Sequence, residues 1–157
     1  MEIPSKEQCI EILSRNNTPE HIIEHCKIVC KVAEDVADKL INRGMKINKE
    51  LVIAASLLHD IERIKDNHVT EGAKLLKSMG FLEISEAIRK HSLYKLDEKE
   101  IRSETTEEKI VFYADKRVVD DRITSLEERF EDLTKRYKKN FTKELEFSKK
   151  IEEELGL

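Results

Sequence analysis

The sequence is short of residues that interrupt helices: it has four glycines, two prolines and no tryptophan among 157 residues. Because glycine and proline are the least favourable residues in helix interiors, their scarcity predicts long helices and few irregular loops. The longest apolar run falls far below the ~18–20 residues that a membrane-spanning helix requires. No basic segment followed by an apolar one occurs near the start of the sequence. We therefore expect neither a signal peptide nor a membrane partner.

The cysteines are few as well, and Cys9, Cys26 and Cys30 are an odd number without a disulfide framework. Such usage is typical of reducing compartments, so we expect a cytoplasmic protein. Cys26 and Cys30 lie one helical turn apart, but no second cysteine pair accompanies them. We interpret them as thiols of the core rather than as metal ligands.

An excess of positive charge is also missing, because 29 basic residues are outnumbered by 33 acidic ones and the net charge is −4. A broad basic surface for duplex nucleic acid is therefore not expected, although this balance is compatible with a local basic cleft. The sequence contains no glycine-rich phosphate loop, Gly-x-Ser-x-Gly elbow or dinucleotide-binding fingerprint. Those large nucleotide-binding and hydrolase classes are thereby excluded.

Apolar residues recur at helical spacing along the chain, and no segment shows convincing strand alternation. We therefore predict an all-α protein whose 157 residues form one domain with its own core. The predicted helices cover about residues 5–14, 19–43, 48–64, 68–79, 82–91, 106–119 and 123–151, the last broken near Asn140.

Local signals support several of these boundaries. Ser5–Gln8 has the pattern of a capping box. Thr18 can cap the second helix with Pro19 in its first position, and Asn48 can cap the third. Residues 92–105 form the longest candidate loop. The amphipathic C-terminal helices either pack on the core or supply a dimer seam, so both a monomer and a homodimer are compatible with the pattern.

The stretch Leu51–Asp60 is the most informative part of the sequence. Its first eight residues are apolar except for Ser56, and they lead directly into His59 and Asp60. A buried carboxylate is costly unless it is paired or bound to a metal. Further histidines and another aspartate lie elsewhere in the chain, separated from this pair by ordinary helix and loop lengths. A metal site is therefore the preferred interpretation of the pair.

Six side chains form the candidate metal site. His25, His59, Asp60 and Asp115 could hold one ion, while His68 and His91 could hold a second that Asp60 bridges through its other oxygen. Imidazole nitrogens and carboxylate oxygens suit Fe, Mn, Co, Ni or Zn, so one or two divalent transition-metal ions are expected. Two ions about 3.5–4 Å apart would activate a shared water as hydroxide at neutral pH.

These residues and their order resemble the HD superfamily of metal-dependent phosphohydrolases, in the variant with two additional histidines. The local strings that carry the resemblance are Glu24-His25-Cys26-Lys27-Ile28-Val29, Leu57-Leu58-His59-Asp60-Ile61, His68-Val69-Thr70-Glu71-Gly72-Ala73, Ile88-Arg89-Lys90-His91 and Tyr113-Ala114-Asp115-Lys116. The resemblance implies a bundle of about six to eight helices, with a core at about 18–120 and C-terminal helices at about 121–157. It also implies hydrolysis of a phosphate ester or anhydride of a small molecule, such as a nucleotide.

The chain departs from the family pattern at one point. Many relatives continue His-Asp-Ile-Gly-Lys, whereas this chain has Glu62 and Arg63 after Ile61. Glu62 removes the signature of the cyclic-dinucleotide phosphodiesterases. Arg63 keeps the cation and could grip phosphate bidentately. We therefore expect Asp60, Arg63 and Lys116 to be the catalytic residues, with Lys116 neutralising substrate phosphate at the mouth of the cleft; solvated charge is the alternative for both cations.

Three other functions are compatible with parts of the sequence. The segment His21–His25 fits His-x-x-Glu-His, an inverted zinc-protease motif, but that interpretation leaves the other candidate ligands without a role. A nucleotide-sensing module could use the metal site for binding without turnover. An HD-type di-iron oxygenase could use the same ligands to activate oxygen.

Overall fold

The structure is a computed structural model that describes residues 2–92 and 102–157. Within these ranges the backbone forms eight α-helices and a small two-stranded sheet, which confirms the predicted all-α class. The elements are α1 (Lys6–Arg15), α2 (Glu20–Asn42), α3 (Lys49–Leu58), α4 (His68–Ser78), α5 (Leu82–Arg89), α6 (Thr106–Asp115), β1 (Val118–Val119), β2 (Arg122–Ile123), α7 (Leu126–Tyr137) and α8 (Thr142–Glu154). Most of the predicted loop, residues 93–101, lies outside the described residues.

Two predicted helix starts are confirmed by their capping contacts. Ser5 Oγ accepts a hydrogen bond from the Gln8 amide at 3.2 Å, and the Ser5 amide donates to Gln8 Oε1 at 2.8 Å. Asn48 Oδ1 accepts from the Leu51 amide at 3.1 Å. Each contact satisfies amide groups that the first helical turn leaves without partners, so these local patterns determine where α1 and α3 begin.

The predicted start of α2 is wrong in detail. Pro19 takes the N-cap position, and the helix begins at Glu20. Thr18 is buried, and its hydroxyl donates to the Ile61 carbonyl oxygen at 3.1 Å. Asn16 Nδ2 donates to the same oxygen at 3.1 Å. A contact with a residue more than forty positions away has therefore replaced the local cap.

The predicted end of α3 near Ile64 is also wrong. The α-helix ends at Leu58, and His59 and Asp60 lie in a succession of turns that follows it. In these turns the amides of Ile61 and Arg63 donate to carbonyls three residues earlier, at 3.2 and 2.9 Å. The early end frees the Ile61 carbonyl, which is the group that Thr18 and Asn16 satisfy.

The helix predicted over residues 106–119 ends at Asp115, and the residues after it form a hairpin. β1 pairs antiparallel with β2, with Val118 opposite Ile123. Asp120 in the intervening turn has a φ of 55°, a left-handed conformation that aspartate tolerates better than most residues. The hairpin reverses the chain directly after α6 and leads it into α7.

The core is built around α3, which packs against α1, α2, α5 and α6. One group of buried apolar side chains surrounds α3 from α1, α4 and α5, and a second lies among α2, α6 and α8. The ring of Phe147 in α8 meets Phe112 of α6 edge-on at 5.3 Å. The C-terminal helix thus packs on the core of its own chain. The three cysteines are buried free thiols, as predicted for Cys26 and Cys30. None of the described helices is both long and apolar enough to cross a membrane.

Candidate metal centre

The six predicted ligands lie in or shortly after five different helices, and all of them except the fully buried His59 line one cavity. His25 lies within α2, His59 and Asp60 directly follow α3, His68 begins α4, His91 follows α5 and Asp115 ends α6. Their donor atoms form two groups of the kind that could hold an ion, and Asp60 belongs to both. The structure therefore assembles the whole set that the sequence pattern singled out.

The first donor group contains His25, His59, Asp60 and Asp115. His25 Nε2 lies 3.2 Å from Asp115 Oδ1 and 3.6 Å from Asp60 Oδ2. His59 Nε2 lies 3.2 Å and 3.4 Å from the same two oxygens. Donors bound at about 2.0–2.2 Å to one ion would be about 3.0–3.5 Å apart in tetrahedral or octahedral geometry. The spacing of these four atoms fits a first-row divalent metal.

The second donor group contains Asp60, His68 and His91. The Nε2 atoms of His68 and His91 each lie 3.7 Å from Asp60 Oδ1, the oxygen that faces away from the first group. Burial lowers the pKa of His68 to about 4, so its ring is neutral at physiological pH and keeps a lone pair for a metal. Each oxygen of Asp60 thus faces a different donor group, which is the arrangement of a bridging carboxylate.

Backbone carbonyls orient three of the four imidazoles. His59 Nδ1 lies 2.6 Å from the Ser56 carbonyl oxygen, and His91 Nδ1 lies 2.5 Å from that of Ile88. His25 Nδ1 lies 2.6 Å from the carbonyl oxygen of Asp120 at the hairpin turn. A carbonyl can only accept, so each Nδ1 carries a proton and each Nε2 is the nitrogen that faces the centre; loss of the Nε2 proton leaves each ring in the tautomer that binds a metal. The tautomers required for metal binding are therefore built into the fold.

The two carboxylates are strongly stabilised in their ionised form. Burial raises the pKa of the Asp60 carboxyl, but His59 and His91 lower it more, and the result is well below its usual value. Burial likewise raises the pKa of Asp115, and the charge of Lys116 contributes most to lowering it below its usual range. Two buried negative charges at bonding distance from imidazoles suit divalent cations.

Lys116 lies at the floor of the cavity rather than at its mouth, which corrects its predicted position. Its side chain is only 3% exposed, and Nζ donates to Asp115 Oδ2 at 2.8 Å and to the His91 carbonyl oxygen at 3.0 Å. Arg63 is partly exposed and its Nε lies 3.9 Å from Asp60 Oδ2. Both cations line the cavity. Their predicted role in holding phosphate stays a prediction.

The cavity itself has a volume of about 950 Å³, large enough for a nucleotide-sized molecule. His21 lies in its wall but belongs to neither donor group. Glu24, the carboxylate of the inverted protease motif, also lines the cavity, but it pairs with Lys27 at 3.1 Å and belongs to neither donor group. The protease interpretation therefore has no assembled site among the residues that the structure describes.

Several contributors to the site were missed by sequence reasoning. The carbonyls that orient the imidazoles leave no trace in side-chain identity. Gly72 allows α4 to approach the turn that carries Asp60, since a Cβ there would lie 3.3 Å from Ile61 Cγ2. Asp120-Asp121 between Val118-Val119 and Arg122-Ile123 is a turn pattern that could have indicated the hairpin. Part of the cavity wall comes from α7, a helix in which the sequence pattern had singled out no site residue.

Comparison with known proteins places this geometry in a family. A tRNA (cytidine(56)-2′-O)-methyltransferase of Picrophilus torridus is 35% identical over 140 residues, which cover 80% of this chain but 40% of that protein. The chain therefore spans less than half of the methyltransferase. An uncharacterized protein of Methanocaldococcus jannaschii is 35% identical over 144 residues, which cover 78% of this chain and 85% of that protein. No solved structure matches the chain. The family model described as HD domain matches residues 22–119, a range that contains all six candidate ligands, and the chain belongs to the HD domain family.

Proposed function

We propose that this protein is a metal-dependent phosphohydrolase that cleaves a phosphate ester or anhydride of a small phosphorylated molecule. A nucleotide is the first candidate substrate. The observation that carries the proposal is the position of Asp60 between two donor groups. Its Oδ2 lies 3.4 Å from His59 Nε2, and its Oδ1 lies 3.7 Å from His68 Nε2. A carboxylate that can bridge two ions at the floor of an open cavity is suited to hydrolysis at phosphorus.

In this proposal the candidate ligands form two ion sites. His25, His59 and Asp115 complete one ion site with Asp60, and His68 with His91 completes the other. Divalent ions bound there supply Lewis acidity, which lowers the pKa of water and neutralises charge on the phosphate. The carbonyls behind the imidazoles prevent the rings from turning away.

Two cations assist the substrate in this proposal. Arg63 is flexible enough at the cavity wall to move from Asp60, 3.9 Å away, to the oxygens of an incoming phosphate. Lys116 is held by Asp115 and the His91 carbonyl, so it acts by its charge from the floor of the cavity. Arg63 therefore binds phosphate directly, while Lys116 keeps Asp115 ionised and in place.

A second candidate substrate is the phosphorylated end of an RNA. The observation that favours it is the similarity to 40% of a protein named tRNA (cytidine(56)-2′-O)-methyltransferase, because segments joined in one protein commonly serve one substrate. The net charge of −4 gives no broad field for duplex binding, so only a terminal nucleotide would enter the cavity.

The test is a phosphate-release screen over nucleotides, small phosphoesters and short RNAs, with Mn, Co, Ni, Fe, Zn and Mg supplied in turn. We expect turnover with at least one transition metal, and a loss of at least about 100-fold in His59→Ala and Asp60→Asn. Lys135→Met, which changes a charge on the outer side of α7, is the control that keeps activity. Oxygen consumption with iron and no phosphate release would favour an oxygenase. Tight nucleotide binding without turnover would favour a sensor.

A further inference from the structure

One wall of the cavity comes from outside the family match, which ends at residue 119. Arg129, Leu133, Arg136 and Tyr137 of α7 line the cavity together with Phe141, which follows that helix. The four helical residues are spaced at i, i+4, i+7 and i+8 and therefore share one face of α7. The same cavity holds the metal centre, so this face of α7 lies opposite or beside whatever the centre binds.

Arg129 is the least satisfied cation of this wall. Its side chain is 15% exposed, and its buried Nε has no hydrogen-bond partner among residues 2–92 and 102–157. Its nearest acidic atom, Asp132 Oδ2, lies 3.9 Å from Nη1, whereas Arg136 reaches that oxygen at 3.1 Å. A largely buried guanidinium without a close anion is costly. Arg129 also lies near enough to Lys116 for the two positive charges to repel, so the space beside it suits a multivalent anion.

Tyr137 supplies an aromatic surface in the same wall. It is 51% exposed, and its ring meets Phe141 edge-on at 6.4 Å. Phe141 is in turn fixed against Phe130 at 6.5 Å. Because Tyr137 is 51% exposed, about half of its surface remains open beside its contact with Phe141. Ile64, which also lines the cavity, is 70% exposed, so a flat apolar group could lie against either residue.

The charges around the cavity are distributed unequally. Arg129 and Arg136 of α7 and Lys139 after it line the cavity, while Asp120 and Asp121 line it from the hairpin. Phosphate is repelled by the hairpin and attracted to α7. Arg129 and Tyr137 lie on the same face of α7, eight residues or about 12 Å apart along the helix. Nucleoside phosphates combine an anionic group and a flat aromatic group in one molecule.

We infer that α7 recognises the substrate of the metal centre, with Arg129 binding the phosphate and Tyr137 stacking on the base of a nucleoside phosphate. This rests on the proposed function for the reaction, but it concerns binding and has its own tests. The nucleoside phosphate is either a free mononucleotide or the terminal nucleotide of an RNA, because both present the same groups to α7.

The first experiment measures the contribution of the base. Metal-loaded protein is titrated calorimetrically with adenosine and uridine 5′-monophosphates and with ribose 5-phosphate, which has the phosphate but no base. We expect the nucleotides to bind more tightly, and Tyr137→Ala to lower the ratio of nucleotide to sugar affinity by roughly 5- to 150-fold, the range for one stacked base. Tyr137→Phe keeps a ring and should preserve the ratio. Equal affinities in the unaltered protein, or an unchanged ratio in Tyr137→Ala, would overturn the role of Tyr137.

The second experiment measures the contribution of the phosphate contact. Arg129→Met removes the guanidinium and should weaken both nucleotide and ribose 5-phosphate binding by roughly 10- to 150-fold. Lys135→Met is the matched control, because Lys135 is on the same helix but is 75% exposed and pairs with Glu131. Thermal melting of each variant checks that the fold is kept. If Arg129→Met binds ribose 5-phosphate like the control, the assignment of Arg129 is wrong.

Turnover separates this inference from the proposed reaction. Nucleotide binding that depends on Tyr137 and Arg129 without phosphate release supports the recognition wall and contradicts the hydrolase. Phosphate release that is unchanged when Tyr137 and Arg129 are replaced supports the hydrolase and contradicts substrate recognition by α7. A 5′-phosphorylated trinucleotide identifies the source of the nucleoside phosphate: affinity at least equal to that of the mononucleotide assigns an RNA end, and a tenfold loss assigns the free nucleotide.

Discussion

His59 Nε2 lies 3.4 Å from Asp60 Oδ2, although the two residues are consecutive in the chain. Consecutive side chains of a regular α-helix point about 100° apart and do not meet on one face. The convergence coincides with the end of α3 at Leu58 and the turns that follow. His59 and Asp60, the pair that names the family, therefore lie directly after the end of a helix. Thr18 and Asn16 hold the turn that follows through their contacts with the Ile61 carbonyl.

The shared position of Asp60 predicts different metal contents for two variants. Asp60→Asn removes the charge common to both donor groups and should lower the affinity for both ions by at least about 100-fold. His68→Ala should remove one ion and leave the other, because His68 belongs only to the second group. Metal content after dialysis, measured by inductively coupled plasma mass spectrometry, distinguishes the two. Loss of both ions in His68→Ala would contradict two separable sites.

The hairpin turn predicts an effect of Asp120 that does not depend on its carboxylate. Asp120 has a φ of 55°, and its carbonyl orients His25. A β-branched residue in this conformation is strained, so Asp120→Val should lower the free energy of unfolding by about 1–2 kcal/mol. It should also weaken metal binding by about tenfold through His25.

Asp120→Gly is the control, since glycine accepts positive φ and retains the carbonyl. Metal titration and urea denaturation of both variants check the prediction. Similar metal affinities in the valine and glycine variants would show that the turn does not orient His25.

Ser56 is the polar exception in the apolar run, and its hydroxyl can be removed. Its Oγ is buried without a hydrogen-bond partner among the described residues, while its carbonyl oxygen accepts from His59 Nδ1. Since Ser56→Ala removes an unsatisfied group and keeps the carbonyl, the free energy of unfolding should rise by up to about 1 kcal/mol. Metal affinity should not change. Urea denaturation measures the first effect, and a clear loss of stability would reveal a partner for Oγ.

The buried thiols predict a loss of stability at alkaline pH. Burial raises the pKa of Cys9 and of Cys30 to about 12. Because an unfolded thiol titrates near 8.5, the folded state binds more protons between these values, and stability falls as pH rises through that window. The loss is about 1–2 kcal/mol per thiol by pH 10.

Chemical denaturation at pH 7 to 10 measures the slope. A variant carrying Cys9→Ala and Cys30→Ala should show a flatter dependence, even if it is less stable throughout. Equal slopes for the two proteins would mean that the thiols do not account for the alkaline effect.

Much of this protein follows from the sequence alone. Helix periodicity is local, so the all-α class, the starts of α1 and α3 and the break near Asn140 were predictable. The ligands were also predictable as a set, because imidazoles and carboxylates among apolar residues need partners. Their division into two groups that share Asp60 is the division that the structure shows.

Only the tertiary structure decided the remaining features. Helix-forming residues continue beyond Leu58, yet α3 ends there, and Thr18 and Asn16, distant in sequence, satisfy the Ile61 carbonyl that the early end leaves free. Lys116 was expected at the mouth of the cleft, but it is buried, and Asp115 and a backbone carbonyl hold it at the cavity floor. Carbonyl groups are common to every residue, so no sequence pattern shows which of them orients an imidazole. Contacts between distant segments determine these features, and local residue preferences do not encode such contacts.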